Sequence, residues 1–345
     1  FNRTSVQITD SYAVYGQGTF KVLPTVDLVL GGRWTRDEKK GTFVQVVNSS
    51  LGFAFAAPEN RTLTTTNERF TYRINLNWRP NDDFLVFGSY STGYKSGGFD
   101  TNTQPSVINR ILRPETTRSI EFGVKSELFD RLLQANLTLY RMTVKDFQDR
   151  SFSGETATAS IVNAGDIRNQ GVEVDTQLRV TDAFRINASV AYLDSVFTSY
   201  PFATNLPMLA GTRDITGERP TFTPEWTGSV GAQYRGELGG GMSFLLRSDL
   251  SFVSSANIGQ INNADPRTVQ SAYQLLSARS TLFGRDDRWS ISVYGDNLTS
   301  ADYCTSFTYQ PLGPALGLAV PGQSAYRCNT VGRPRSYGIS GSVSF

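Results

Sequence analysis

The chain has 345 residues, with 33 basic and 31 acidic side chains for a formal net charge of +2, and it contains no histidine. A balanced charge without a long basic run excludes nucleic acid as the expected partner, and the missing imidazole removes the side chain most used for acid–base chemistry near neutrality and for binding transition metals. Two cysteines cannot build a tetrahedral thiolate site, so no metal or other cofactor is expected and an enzyme is disfavoured.

In chain order, Phe1-Asn-Arg-Thr-Ser comes first and lacks the basic and apolar regions of a secretion signal. The start is therefore expected to be processed, trimmed or preceded by more chain. Alternation of period two then predicts about thirteen strands, near 5–22, 26–47, 65–79, 84–97, 115–128, 132–149, 159–180, 184–199, 222–236, 241–257, 268–284, 288–302 and 334–345. Phe70, Tyr72, Ile74, Leu76 and Trp78, for example, alternate with Thr71, Arg73, Asn75, Asn77 and Arg79. Soluble strands usually run about 5 or 6 residues, whereas a tilted strand crosses a bilayer in about 9–11, so these are membrane-length strands. No run approaches the roughly 18 consecutive apolar residues of a spanning helix.

Connections alternate in kind. Tight turns rich in Pro, Asn, Asp and Gly follow every second strand, as at Pro80-Asn81-Asp82-Asp83 and Arg285-Asp286-Asp287, and longer polar loops follow the others, near 48–64, 98–114, 150–158, 200–221, 258–267 and 303–333. That is the layout of an outer-membrane barrel, with turns on the periplasmic side and loops outside. Aromatic residues recur at strand ends, among them Phe20, Trp34, Phe70, Trp78, Tyr234, Phe252, Trp289 and Phe345, where a ring can sit at the lipid–water boundary. The polar parity carries Arg33, Arg73, Glu121, Lys125, Glu173, Asp175, Arg179, Arg185, Arg235, Arg247, Asp249 and Arg279, charges that cannot face lipid cheaply and so must line a wet or plugged interior.

Near the end, Cys304 and Cys328 lie in one Gly- and Pro-rich stretch, which suits a disulfide stapling a long loop in an oxidising compartment; two free thiols are the alternative. In the last strand Tyr337, Ile339, Val343 and Phe345 share one face. Thirteen strands leave first and last parallel, which cannot close a seam. Residues 1–345 are accordingly expected to be the C-terminal part of a larger all-β, transmembrane, antiparallel up-and-down barrel, with a complete 14-stranded porin-like channel as the alternative.

The segment Gly93-Tyr94-Lys95-Ser96-Gly97-Gly98-Phe99 resembles the Tyr-Lys-Ser-Gly-Gly-Phe strand of TonB-dependent outer-membrane receptors. Arg113-Pro114-Glu115, Val162-Asn163-Ala164-Gly165, Thr223-Pro224-Glu225-Trp226, Gly295-Asp296-Asn297-Leu298 and Gly332-Arg333-Pro334-Arg335-Ser336-Tyr337 follow in that family's order. The resemblance implies a 22-stranded barrel in the outer membrane of a Gram-negative bacterium, filled by an N-terminal plug. It also implies uptake of a scarce small-molecule nutrient, a ferric siderophore or similar chelate, with energy relayed by the TonB complex; cobalamin, glycans and aromatic compounds compete. These residues contain no plug, Ton box or early strands. Tyr337, Ile339, Val343 and Phe345 resemble the signal read by the barrel assembly machinery. Lys95 and its glycine neighbours are open to two readings, an anionic chelate site or a strand kink. Tyr200, Phe202, Phe307, Tyr309 and Tyr326 are candidate substrate contacts in the longest loops, against plain loop packing.

Overall fold

A computed structural model describes residues 2–48, 58–101, 110–153, 158–206, 209, 211–309 and 326–344. Thirteen long strands form one sheet: β1 (Asn2–Leu23), β2 (Val26–Val46), β3 (Glu59–Asn81), β4 (Phe84–Lys95), β5 (Glu115–Leu128), β6 (Leu133–Ser153), β7 (Thr158–Arg179), β8 (Phe184–Ser199), β9 (Trp226–Gly239), β10 (Met242–Val253), β11 (Tyr273–Phe283), β12 (Trp289–Asp296) and β13 (Ser336–Val343). Each pairs antiparallel with its sequence neighbours, so the topology is a plain up-and-down meander. β1 pairs with β2 and β13 with β12; among the described residues these two end strands do not pair with each other. Among the same residues no helix is long and apolar enough to cross a membrane, which leaves strand crossing open.

Most strands match the sequence expectation, and the departures have local causes. β3 begins at Glu59 because its pairing with β2 runs on without a break to Gln45 opposite Glu59, through a Thr-rich stretch of high strand propensity. β10 and β11 are shorter than expected because Ala256–Asn257 leaves the sheet to pair with Val269–Gln270 in a small separate ribbon. Similar ribbons join Gly98–Phe99 to Ile111–Leu112, Ala203–Thr204 to Thr212–Arg213, and Cys304–Tyr309 to Tyr326–Val331. The turn after β9 needs its glycines, since Gly239, Gly240 and Gly241 all have positive φ (82°, 62° and 78°).

Register converts alternation into two faces. Val26, Trp78, Val86, Val124, Leu137, Val174 and Val190 stand opposite one another on successive strands, as do Asn75, Ser89, Glu121 and Tyr140 on the other parity. The first face leaves large apolar side chains exposed from Val14 on β1 to Val343 on β13, a patch far wider than a water-soluble surface tolerates. Its upper limit on β2 and β3 is sharp. Trp34 stands opposite Phe70, and two residues further Arg36 stands opposite Glu68, bridging to it at 2.9 Å and to Glu38 at 2.6 Å. From Phe70 to Trp78 the band measures about 27 Å along the strand at the usual rise. The one buried apolar cluster among the described residues lies beyond that band, at the long-loop end, and joins Val144, Ile167, Phe197, Tyr200, Ala203 and Ile215.

Candidate functional site

The long-loop end gathers its polar chemistry in three places. The first surrounds the Gly93–Phe99 motif at the top of β4. The Tyr94 hydroxyl donates to Asp37 Oδ2 at 3.0 Å, Lys39 Nζ donates to the Gly97 carbonyl at 2.7 Å, and Ser96 Oγ donates to the same carbonyl at 3.1 Å. Lys95 bridges to Glu115 at 3.0 Å. A Cβ on Gly97 would strike the Leu112 carbonyl, so the ribbon packs here only around glycine. Phe99 is buried edge-on to Phe43, with ring centroids 5.9 Å apart. Burial alone would raise the Asp37 carboxyl, but hydroxyl donors on Ser11, Tyr94 and Ser96 and the Lys39 ammonium bring it below its ordinary value.

Beneath the motif, Arg110 is held in a cage. Its guanidinium forks onto Glu59, donates to the Asp100 carbonyl at 2.8 Å and lies 4.9 Å from the Phe43 ring centroid. The sequence reading missed this residue, since Arg110 and Glu59 both fall in stretches assigned to polar loops. The only local signal was an arginine directly before an apolar pair, Ile111-Leu112, which forms a ribbon strand with Leu112 buried and Ile111 exposed.

The second place is the top of β6 and β8. Asp149 accepts from the Tyr200 hydroxyl at 3.0 Å, from Asn262 Nδ2 at 3.0 Å and from the Arg150 amide at 2.7 Å, tying three segments together. Burial raises the Asp149 carboxyl above its ordinary value despite these donors. Burial, reinforced by the Asp149 charge, pushes the Tyr200 phenol up as well. The Phe197 and Tyr200 rings meet edge to face at 4.9 Å.

The third is the disulfide ribbon. Cys304 and Cys328 are bonded, with Cα atoms 5.7 Å apart. The ribbon is sewn to the 254–272 connection by Phe307 N to Ile258 O (2.9 Å) and Gln260 N to Phe307 O (3.2 Å). Asp265 caps the short helix Pro266–Thr268, is held by Arg267 Nε at 2.9 Å and accepts from the Tyr326 hydroxyl. Arg267 also lies 4.4 Å from the Tyr326 ring centroid.

The five loop aromatics singled out from sequence therefore meet different fates. Tyr200 is 1% exposed and Phe202, two residues on, is 72% exposed. Phe307 and Tyr326 are partly buried in the ribbon, and the Tyr309 side chain lies outside what is described. Of the last-strand residues, Tyr337, Ile339 and Val343 project from the apolar face, while Phe345 lies outside the described residues. Among the described residues no three Cys, Asp or Glu side chains gather in a metal-binding arrangement.

A family described as TonB dependent receptor-like, beta-barrel matches residues 1–298. The chain is 24% identical over 194 residues to the "Probable TonB-dependent siderophore receptor PiuA" of Acinetobacter baumannii, covering 55% of this chain and 24% of that protein. To the "Probable TonB-dependent receptor BfrD" of Bordetella pertussis it is 27% identical over 240 residues, covering 67% and 31%. Its fold superposes on the ferric yersiniabactin uptake receptor FyuA of Yersinia pestis with a TM-score of 0.76 and 19% identity, over 99% of this chain and 47% of that one. The chain thus spans less than half the length of each. A 14-stranded porin-like channel is not supported: the sheet has thirteen strands among the described residues, and the matching family is one of receptors.

Proposed function

The chain belongs to the TonB-dependent receptor β-barrel family, and we propose that it supplies the C-terminal wall of an outer-membrane receptor that imports a ferric siderophore or similar chelate with energy from TonB. The reading rests above all on one observation, the exposed apolar face that recurs from β1 to β13 and ends on β2 and β3 at Trp34 and Phe70, backed by a charged inner face. A transmembrane wall needs that division, and an enzyme of this architecture would still need a nucleophile and a base at its rim. Substrate capture falls to the outer loops, where exposed Phe202 and the partly buried Phe307 and Tyr326 offer apolar area beside polar groups. The Gly93–Phe99 motif acts as a structural joint, because Lys95 is committed to Glu115 and Lys39 to Gly97. Tyr337, Ile339, Val343 and Phe345 present the assembly signal; deleting Phe345 should slow membrane insertion of the full-length protein, and unchanged insertion would count against this role.

The test of transport is uptake of radio-iron chelates by cells making the full-length protein, with and without functional TonB. Uptake that vanishes when TonB or the proton gradient is removed supports the proposal. Uptake or ion conduction indifferent to both would replace it with a passive channel.

A further inference from the structure

The polar boundary of β2 and β3 continues along the apolar parity of β4 to β8, and there it is basic. Register sets out two adjacent rows. In one, Tyr90 stands opposite Ile120, Ile120 opposite Arg141, Arg141 opposite Gln170 and Gln170 opposite Asp194; in the next, nearer the long loops, Thr92 stands opposite Arg118, Arg118 opposite Thr143 and Thr143 opposite Arg168. Arg118 and Arg141 are thus diagonal neighbours on adjacent strands, within reach of one another for long side chains. Both share a parity with the exposed Ile120, Phe122, Leu137 and Leu139, so they face away from the barrel interior. Asp194, the one carboxylate in these rows, is already engaged. Arg168 Nη2 and Gln170 Nε2 both donate to its Oδ2 at 2.9 Å. Arg118 and Arg141 are exposed, and neither has a carboxylate within ion-pairing distance among the described residues. Lys145, exposed on the same parity, stands four residues further out on β6, about 13 Å at the usual rise. On the side of the apolar band, Phe122, Leu139, Val172 and Tyr192 line an open groove of about 480 Å³, with Arg141 at the end nearest the loops.

We propose that the outward face of β5, β6 and β7 binds a phosphorylated glycolipid of the outer leaflet, with a phosphate between Arg118 and Arg141 and an acyl chain in the groove. The proposal rests on the wall crossing the outer membrane, and not on what the receptor imports. A guanidinium on the lipid side is tolerated only where headgroups begin, and that is where this pair stands. One phosphate engages one or two guanidinium groups in planar, forked geometry, and two are free to meet it here. Lys145 supplies a further cation for a headgroup with two separated phosphates. The rows lie at the long-loop end, which faces outside, so the lipid comes from the outer leaflet. A free phosphate ion would use the arginines and leave the groove unfilled.

The experiment uses the full-length protein, delipidated in nonionic detergent, and measures binding of fluorescent bisphosphorylated lipid A. One variant carries Arg118→Gln with Arg141→Gln; the control carries Arg179→Gln, which removes a charge from the polar face. Each arginine beside an anionic lipid is worth about fivefold, so the double variant should bind about 25-fold more weakly and the control as tightly as the unaltered protein. The unaltered protein should also prefer this lipid over its dephosphorylated form by a similar factor, a comparison that needs no variant to fold. Equal binding by the double variant, equal binding of the two lipids, or release of bound lipid by excess inorganic phosphate overturns the proposal. TonB-dependent uptake of radio-iron by cells making the same proteins separates the two readings. Uptake absent while phosphate-dependent lipid binding persists counts against the receptor, and uptake present without such binding counts against the lipid site alone.

Discussion

Arg110 and Glu59 form a two-pronged ion pair, Nε to Oε1 at 2.9 Å and Nη2 to Oε2 at 2.6 Å, with side chains only 1% and 6% exposed. The pair fastens the segment after the Gly93–Phe99 motif to the start of β3, and it explains why the Gly98–Phe99 and Ile111–Leu112 ribbon stands where it does. Removing one partner of a buried pair costs about 3–5 kcal/mol, because the other charge stays desolvated. Glu59→Gln should therefore open the ribbon locally. The check is hydrogen exchange at the Asp100 amide, now bonded to the Arg110 carbonyl at 2.8 Å. Unchanged protection would mean the pair holds nothing.

The Asp149 junction should loosen as pH rises. It lies ten residues beyond Leu139, the last exposed apolar side chain on β6 and thus outside the lipid band. Burial raises its carboxyl in the closed state, while in an opened segment it ionises at the ordinary carboxylate value. Between those two values the closed form keeps a proton that the open form has lost, so stability falls with rising pH across that window and is level on either side. Proteolysis of the 200–221 connection should speed up from acid toward neutral pH. Asp149→Asn should flatten the profile.

Reduction of Cys304–Cys328 should loosen the ribbon and spare the barrel wall. A crosslink closing a loop of this size is worth roughly 3–4 kcal/mol to the segment it closes. Hydrogen exchange in Cys304–Tyr309 and Tyr326–Val331 should quicken in the Cys304→Ser, Cys328→Ser variant, while amides of β12 and β13 stay protected. Equal loss in both would contradict the separation of ribbon from wall.

Charge should be tolerated on one parity of β3 and rejected on the other. Ile74→Arg places a guanidinium mid-band and should cost about 2–4 kcal/mol, whereas Asn77→Arg, at a half-buried position on the polar parity, should cost far less. Urea unfolding of the full-length protein in bilayers measures both.

The wall was legible in sequence because side-chain period and strand geometry coincide: alternation of Phe70 through Trp78 with Thr71 through Arg79 states both faces directly. The Cys304 and Cys328 bond was also anticipated from its setting. The long-loop end was not legible in the same way. Asp149 meets Asn262 across 113 residues of sequence, and Arg110 meets Glu59 across 51. Such contacts follow from which loops fold over which strands, and no local periodicity encodes that. Tyr200 and Phe202 look alike in sequence as loop aromatics. The first tucks against Phe197 and Asp149 because it directly follows β8, while the second has turned outward.

The account turns on which face meets lipid, and nitroxide scanning along β3 measures it. In the full-length protein in bilayers, labels at Ile74 and Leu76 should collide with dissolved oxygen, and labels at Asn75 and Asn77 with a water-soluble nickel chelate. Reversal of that pattern, or nickel contact at all four positions, would contradict a membrane-spanning wall.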